Sequence, residues 1–161
     1  MIVVTDTSVV LNLCFVRQDA LLPHLFDLIL APSVVRYEFQ RLAREVARFE
    51  GLSFPGFIVV EDPQTVPEVL RSAQALDAGE RAALALALEK HAPEVLVDEL
   101  VAREVAEKLG LRVAGVLAIL IRARRRNLLP SVIPVLDGLE KAHFWISPQL
   151  RQQVLKEAGE N

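Results

Sequence analysis

The chain has 161 residues, of which 52% are hydrophobic and 24% are charged. At roughly 100 to 200 residues per domain, this length predicts a single domain with its own core, and the composition argues against intrinsic disorder. The formal net charge is only −3, which excludes a globally basic nucleic-acid binder but allows a local basic patch.

Two features of the sequence bear on the cell compartment. The longest uncharged run has ten residues, well under the roughly 18 needed to cross a bilayer, so we expect no membrane segment. The N-terminus has no basic region before its first apolar stretch, which argues against a signal peptide and predicts a cytoplasmic protein. The single cysteine, Cys14, offers neither a disulfide framework nor a thiolate metal site.

Short apolar runs rich in branched residues alternate with longer helical patterns along the chain. This alternation is typical of βαβ units around a parallel sheet, and nearly continuous apolar strands are buried on both faces. The runs predict five strands, at Ile2–Thr5, Leu28–Ala31, Phe57–Val60, Val95–Asp98 and Leu111–Val113.

Helical periodicity and end signals predict the main helices. A proline opens the first, Gly110 supplies a left-handed exit after the third, and Ser147-Pro148 begins the last, which Gly159 ends. The predicted helices are Pro32–Arg48, Asp77–Lys90, Leu100–Leu109 and the closing helix from Ser147.

Two acidic residues stand at predicted strand ends. Asp6 ends the first strand and Asp98 ends the fourth. In open parallel sheets, ligands bind in the crevice beyond the carboxyl ends of the strands, so the pair suggests a site. A strand-terminal Asp also commonly caps the next helix, and that alternative stays open for each of them.

Two glutamates are further site candidates. Glu38 lies in an apolar part of its helix between Tyr37 and Phe39; the alternative is an exposed helix face. Glu80 begins an apolar helix, and its spacing from Asp77 also matches a capping box. Clustered carboxylates raise one another's pKa and are tolerable only around a cation, for which hard oxygen ligands favour Mg²⁺ or Mn²⁺.

Three segments carry a resemblance to a known family. Asp6-Thr7-Ser8 follows the first predicted strand, residues 76–87 read LDAGERAALALA, and Asp98-Glu99 precedes Ala102-Arg103 and the LGLRV of 109–113. Together they resemble a PIN domain of the DUF3368 branch, over nearly the whole chain. PIN proteins usually have Asp where Glu80 stands, and the family commonly has a small hydroxyl residue where Val116 stands.

The resemblance implies a fold, an activity and a set of site residues. The fold is one three-layer α/β/α sandwich around a parallel sheet, over residues 1–161. The activity is Mg²⁺- or Mn²⁺-dependent cleavage of RNA, often by the toxin of a toxin–antitoxin pair, so that RNA and an antitoxin protein are the implied partners. The implied catalytic and metal-ligating residues are Asp6, Glu38, Glu80 and Asp98, with Ser8 and Glu99 in support.

A basic segment follows the last predicted strand. Five arginines and no acid lie between Arg112 and Arg126, and an arginine cluster at a helix C-terminus attracts phosphates. The alternative is a favourable interaction with the helix dipole on a solvated face. The candidate RNA-binding residues are Arg122, Arg124, Arg125 and Arg126.

Other functions fit parts of the pattern. Asp6-Thr7 after a strand resembles phosphotransferases of the haloacid dehalogenase type, but Ser8 stands where their second Asp would be. A non-catalytic member that binds RNA or a protein would retain the acids without turnover. Phe144 and Trp145 are expected to anchor the core or a homodimer.

Overall fold

A computed structural model describes residues 1–160 and contains one five-stranded sheet in that range. All neighbouring strands are parallel, in the order β3-β2-β1-β4-β5. The predicted parallel sheet is therefore confirmed. The strands are β1 (Ile2–Thr5), β2 (Leu28–Ala31), β3 (Val59–Val60), β4 (Glu94–Leu96) and β5 (Arg112–Ala114).

Nine α-helices connect and follow the strands in the described part of the chain. None of these helices has both the length and the apolar character needed to cross a bilayer. They are α1 (Thr7–Phe15), α2 (Leu22–Leu25), α3 (Ser33–Glu45), α4 (Glu68–Arg71), α5 (Ala78–Glu89), α6 (Leu100–Lys108), α7 (Val116–Arg125), α8 (Ile133–Lys141) and α9 (Pro148–Glu157).

The sheet separates two hydrophobic cores. Adjacent residues of a strand point to opposite faces, and accordingly Val3 packs in one core and Val4 in the other. Helices α1–α3 and α7–α9 cover the first face, and α4–α6 cover the second. The chain is thus a three-layer α/β/α sandwich, as the resemblance implies.

The first two strands begin and end as predicted, and the other three differ. β3 is shorter because Ile58 still belongs to a turn, in which its amide donates to the carbonyl of Pro55 at 3.2 Å. β4 ends at Leu96, two residues before Asp98, and β5 runs to Ala114 rather than Val113. Asp98 therefore lies beyond the strand.

The helix ends follow local signals in most places. Gly110 adopts the predicted left-handed conformation, with φ of +82°, and Gly159, predicted to end the last helix, has φ of +77°. Helix α3 stops at Glu45 rather than Arg48, because Val46 is extended and a short 3₁₀ turn follows. Helix α1 was not predicted. Most of its residues are buried, so it shows no amphipathic period.

The strand order places a crevice between β1 and β4. The chain runs from β1 outwards to β2 and β3, then crosses to β4 on the other side of β1. The connections leave β1 and β4 in opposite directions, which opens a ligand-binding crevice at the carboxyl ends of these two strands. Asp6 directly follows β1, and Asp98 follows β4.

Candidate functional site

A cleft of about 370 Å³ opens at this crevice, and we call it the acidic cleft. It holds three of the four predicted acids together with both supporting residues. Asp98 does not line it. The lining residues are Asp6, Thr7, Ser8, Leu11, Glu38, Arg41, Leu42, Asp77, Glu80 and Glu99.

Asp6 is almost completely buried at the start of helix α1, with 3% of its surface exposed. One carboxylate oxygen accepts a hydrogen bond from the amide of Val9 at 3.0 Å, which makes Asp6 the N-cap of the helix. The hydroxyl of Ser8 donates to the same carboxylate at 3.3 Å and 3.4 Å. Asp6 therefore caps helix α1 and lines the acidic cleft at the same time.

Glu38 reaches the acidic cleft from the middle of helix α3. Its Oε2 accepts a hydrogen bond of 2.6 Å from the hydroxyl of Thr7, so its side chain is held in place rather than free in solvent. A Cβ atom on Gly79 would lie 2.7 Å from the same oxygen. The missing side chain at Gly79 therefore makes room for the Glu38 carboxylate.

Glu80 enters the cleft from the first turn of helix α5. The Asp77 carboxylate accepts from the Glu80 amide at 2.7 Å, and the Glu80 carboxylate accepts from the Asp77 amide at 3.0 Å. The predicted capping box is therefore present. It fixes the backbone amide and one carboxylate oxygen of Glu80, and this carboxylate borders the cleft.

Asp98 lies beside the acidic cleft, on the wall of a second cleft of about 210 Å³ that we call the Asp98 cleft. Both of its carboxylate oxygens lie 3.3 Å from the amide of Val116, at the start of helix α7. A Cβ atom on Gly115 would lie 2.0 Å from Asp98 Oδ1. Only glycine at this position lets the carboxylate rest where it does.

Like charges and burial act together on these acids. Burial raises the pKa of Asp6 well above its ordinary value of 3.8, and the charges of Asp98 and Glu80 raise it further. Burial also raises the pKa of Asp98, while the Arg103 guanidinium partly offsets it. The pKa of Glu80 is raised by burial first, and also by neighbouring acids that include Glu99 and Glu38.

The family model for DUF3368, described as a PIN domain, matches residues 2–160. The chain belongs to this PIN-domain family. No curated protein matches it, and neither does any solved structure. PIN domains are in general nucleases, so membership of the family supports an enzyme of nuclease type.

The donor chemistry of the site suits the divalent metal ions that PIN domains typically use. Carboxylate oxygens are the ligands that Mg²⁺ and Mn²⁺ prefer, and a cation would relieve the repulsion that raises the pKa of Asp6. Within residues 1–160, however, no three His, Cys, Asp or Glu side chains are placed to hold a metal ion together. Glu38, Glu80 and Asp98 are instead each fixed by a separate hydrogen bond.

The raised pKa values make the stability of the metal-free PIN domain depend on pH. A carboxyl group whose pKa is higher in the folded state favours folding most at low pH and loses that contribution as pH rises through the folded pKa. We therefore expect the Tm in chelator to rise as the pH is lowered from neutral through the raised pKa of Asp6. Replacing Asp6 by Asn should reduce this rise, whereas an unchanged pH profile in that variant would contradict it.

The predicted RNA-binding arginines lie at the opposite end of the sheet from the acids. The guanidinium of Arg122 pairs with both oxygens of buried Glu94, at 2.7 Å and 2.5 Å. Glu94 begins β4, so it is about 13 Å along the chain from Asp98 at about 3.3 Å per residue. Arg124 lies 3.4 Å from Glu160. A role of these arginines in RNA binding stays a prediction.

The other two arginines of this group are at the exposed end of helix α7. Arg125 donates to the carbonyl of Glu157 at 2.8 Å, and Arg126 is exposed. Arg122, Arg124 and Arg125 occupy the last turn of the helix, where cations interact favourably with its dipole. The position of these three arginines therefore agrees with the alternative that they interact with the helix dipole.

Three residues at or beside the acidic cleft were not predicted as site residues from the sequence. Thr7 holds Glu38, Arg41 lines the acidic cleft, and Arg103 lies near Asp98. Thr7 and Arg103 stand inside the motifs that carry the family resemblance, which is the signal that could have selected them. Nothing in the sequence distinguishes Arg41 from the other arginines of its helix.

Proposed function

We propose that this PIN domain is a divalent-metal-dependent ribonuclease that cuts RNA phosphodiester bonds at the acidic cleft and acts as the toxin of a toxin–antitoxin pair. The observation that carries the nuclease activity is the buried Asp6, whose pKa is raised by burial and by the charges of Asp98 and Glu80. A site that concentrates negative charge in this way is suited to a cation. The toxin role has its support in the family resemblance.

In this proposal Asp6 and Asp98 would hold the metal ion, because they follow the two strands that flank the crevice. When bound, a divalent ion acidifies water and neutralises charge on the scissile phosphate. Ser8 orients the Asp6 carboxylate through its hydroxyl, and Thr7 orients Glu38.

Glu80 is the residue that we propose to take the proton from the attacking water. Burial raises its pKa, and a base is most effective when its pKa approaches the working pH. Its capping box engages one carboxylate oxygen, Oε1, through the Asp77 amide, and the carboxylate borders the cleft. No covalent intermediate on the protein is needed, because water attacks the phosphorus directly, the bond from phosphorus to the leaving ribose oxygen breaks, and that oxygen takes a proton from solvent.

Cleavage of a mixed single-stranded RNA in Mn²⁺, followed by a repeat in chelator, tests the proposal. We expect cleavage by the unaltered protein, loss of it in chelator, and a loss of about 100-fold or more in Glu80→Gln. Gln is accepted in a capping box and carries no charge at a position where burial raises the pKa of Glu80, so this variant should fold and melt in chelator at the same temperature or higher. The exposed Glu104→Gln on helix α6 is the matched control and should cleave normally.

The outcomes separate the three functions. RNA binding without cleavage in Mn²⁺ would overturn the nuclease proposal in favour of a non-catalytic binding module. Release of phosphate from small phosphomonoesters, with intact RNA, would instead favour a phosphotransferase.

A further inference from the structure

The Asp98 cleft contains an arginine that the proposed chemistry does not use. Arg103 comes from helix α6, and the facing wall is built from α7 and α9, with Leu117, Leu150 and Gln153 among its residues. The position that a Cβ on Gly115 would occupy is 3.5 Å from Arg103 Nη1 and 2.0 Å from Asp98 Oδ1. The guanidinium therefore lies next to one of the proposed metal-holding acids.

Arg103 has no partner of its own in the described part of the chain. Arg122 and Arg151 each form ion pairs there, but the Arg103 side chain forms no hydrogen bond and no ion pair within residues 1–160. It is half-buried, but none of its nitrogen atoms is shut off from solvent, so its five N–H donors are accessible at the wall of the cleft.

Arg103 does not lie beside Asp98 as its ion-pair partner. The carboxylate of Asp98 is instead bound to the amide of Val116, and Arg103 acts on it only through its charge. The donors of Arg103 thus stay available to an anion that enters the Asp98 cleft. The planar fork of a guanidinium matches two oxygens of a phosphodiester group.

We infer that Arg103 binds a backbone phosphate of the RNA strand in the Asp98 cleft, next to the bond that is cut. This inference rests on the proposed ribonuclease function and names its substrate-binding group. It adds an RNA contact at the carboxyl end of the sheet, where the acids lie, to the contacts predicted for the arginines at the amino end. Arg103 then positions the strand across the boundary between the two clefts.

Binding of a single-stranded oligoribonucleotide at several salt concentrations tests the inference. The measurement is made in Mg²⁺ on the Glu80→Gln background, which keeps the RNA intact. We expect Arg103→Ala to weaken binding about tenfold or more and to lower the salt slope by about 0.7, the value for one lost phosphate contact on a single strand. Arg103→Lys should restore the slope but only part of the affinity, because Lys cannot form the bidentate pair.

Lys108→Ala removes a cation from the far end of the same helix and is the matched control. It should leave both the affinity and the salt slope unchanged. In the cleavage assay with the otherwise unaltered protein, Arg103→Ala should raise KM and leave kcat nearly unchanged. A purely structural role of Arg103 would lower the Tm without moving the salt slope.

Failure of the inference is distinguishable from failure of the proposed function. If the unaltered protein cleaves RNA while Arg103→Ala has the same affinity, salt slope and KM, only the role of Arg103 is overturned. If the unaltered protein neither binds nor cleaves RNA, the proposed function and the role of Arg103 are overturned together.

Discussion

Asp6→Asn is expected to abolish most RNA cleavage while making the metal-free protein more stable. The change removes a buried charge that burial, Asp98 and Glu80 all disfavour. Asn is as good an N-cap as Asp, so its side-chain oxygen can still accept from the amide of Val9. We expect a loss in kcat/KM of about 10²–10³, since a metal ion contributes several kcal/mol to such a transition state.

Thermal unfolding in chelator at neutral pH measures the other half of this prediction. A gain of about 1 kcal/mol would raise the Tm by roughly 2–4 °C in a domain of this size. The exposed Asp62, which accepts from the amide of Ser33 at 2.7 Å, provides the control. Asp62→Asn makes the same change at another helix start, and it should alter neither cleavage nor the response to metal.

Destabilisation of Asp6→Asn in chelator would contradict the prediction and would assign the carboxylate to a structural hydrogen bond.

Asp98→Asn should also raise the Tm of the metal-free protein, by less than Asp6→Asn does, and should weaken Mg²⁺ binding. The gain is smaller because the hydrogen bond from the Val116 amide and the charge of Arg103 both lower the pKa of Asp98 and so favour its ionised form.

Gly115→Ala is expected to reduce cleavage strongly with a modest loss of stability. The added Cβ would lie 2.0 Å from Asp98 Oδ1, so the carboxylate must move and give up its hydrogen bonds to Val116. The loss of these bonds costs about 1 kcal/mol, whereas misplacement of a catalytic group by about 1 Å can cost 100-fold in rate. Gly115 has φ of −102°, which alanine also adopts, so no backbone strain enters.

Cleavage rates and Tm values of two further variants test whether the contact between the added Cβ and Asp98 causes the loss of cleavage. Gly56→Ala is the control, because nothing lies within 4 Å of its added Cβ. In the double variant Gly115→Ala with Asp98→Ala, the clash is gone, so the Tm should recover relative to Gly115→Ala while cleavage stays lost. If Gly115→Ala cleaves RNA as well as Gly56→Ala does, the close contact at Asp98 has no role in the activity.

The sequence by itself determined the elements whose signals are local. The apolar runs at Ile2–Thr5 and Leu28–Ala31 became strands with the predicted ends, and the spacing of Asp77 and Glu80 became a capping box. These features depend on residues within a few positions of one another, so a pattern of residue types is enough to specify them.

Only the tertiary structure decided how the acids are arranged. Thr7 and Glu38 are 31 residues apart and Asp98 and Val116 are 18 apart, so packing of whole helices on the sheet makes these contacts. The same packing places Asp98 on a different cleft from Glu80. Residue type and spacing do not encode these distances.

The arginines illustrate the same division. The sequence correctly placed Arg122, Arg124 and Arg125 at the end of a helix, because the apolar stretch before them has helical character. It did not show that Arg122 pairs with Glu94, 28 residues earlier, at the end of the sheet away from the acids. Nor did it single out Arg103, whose position beside Asp98 arises only when α6 packs on one face of the sheet and α7 begins on the other.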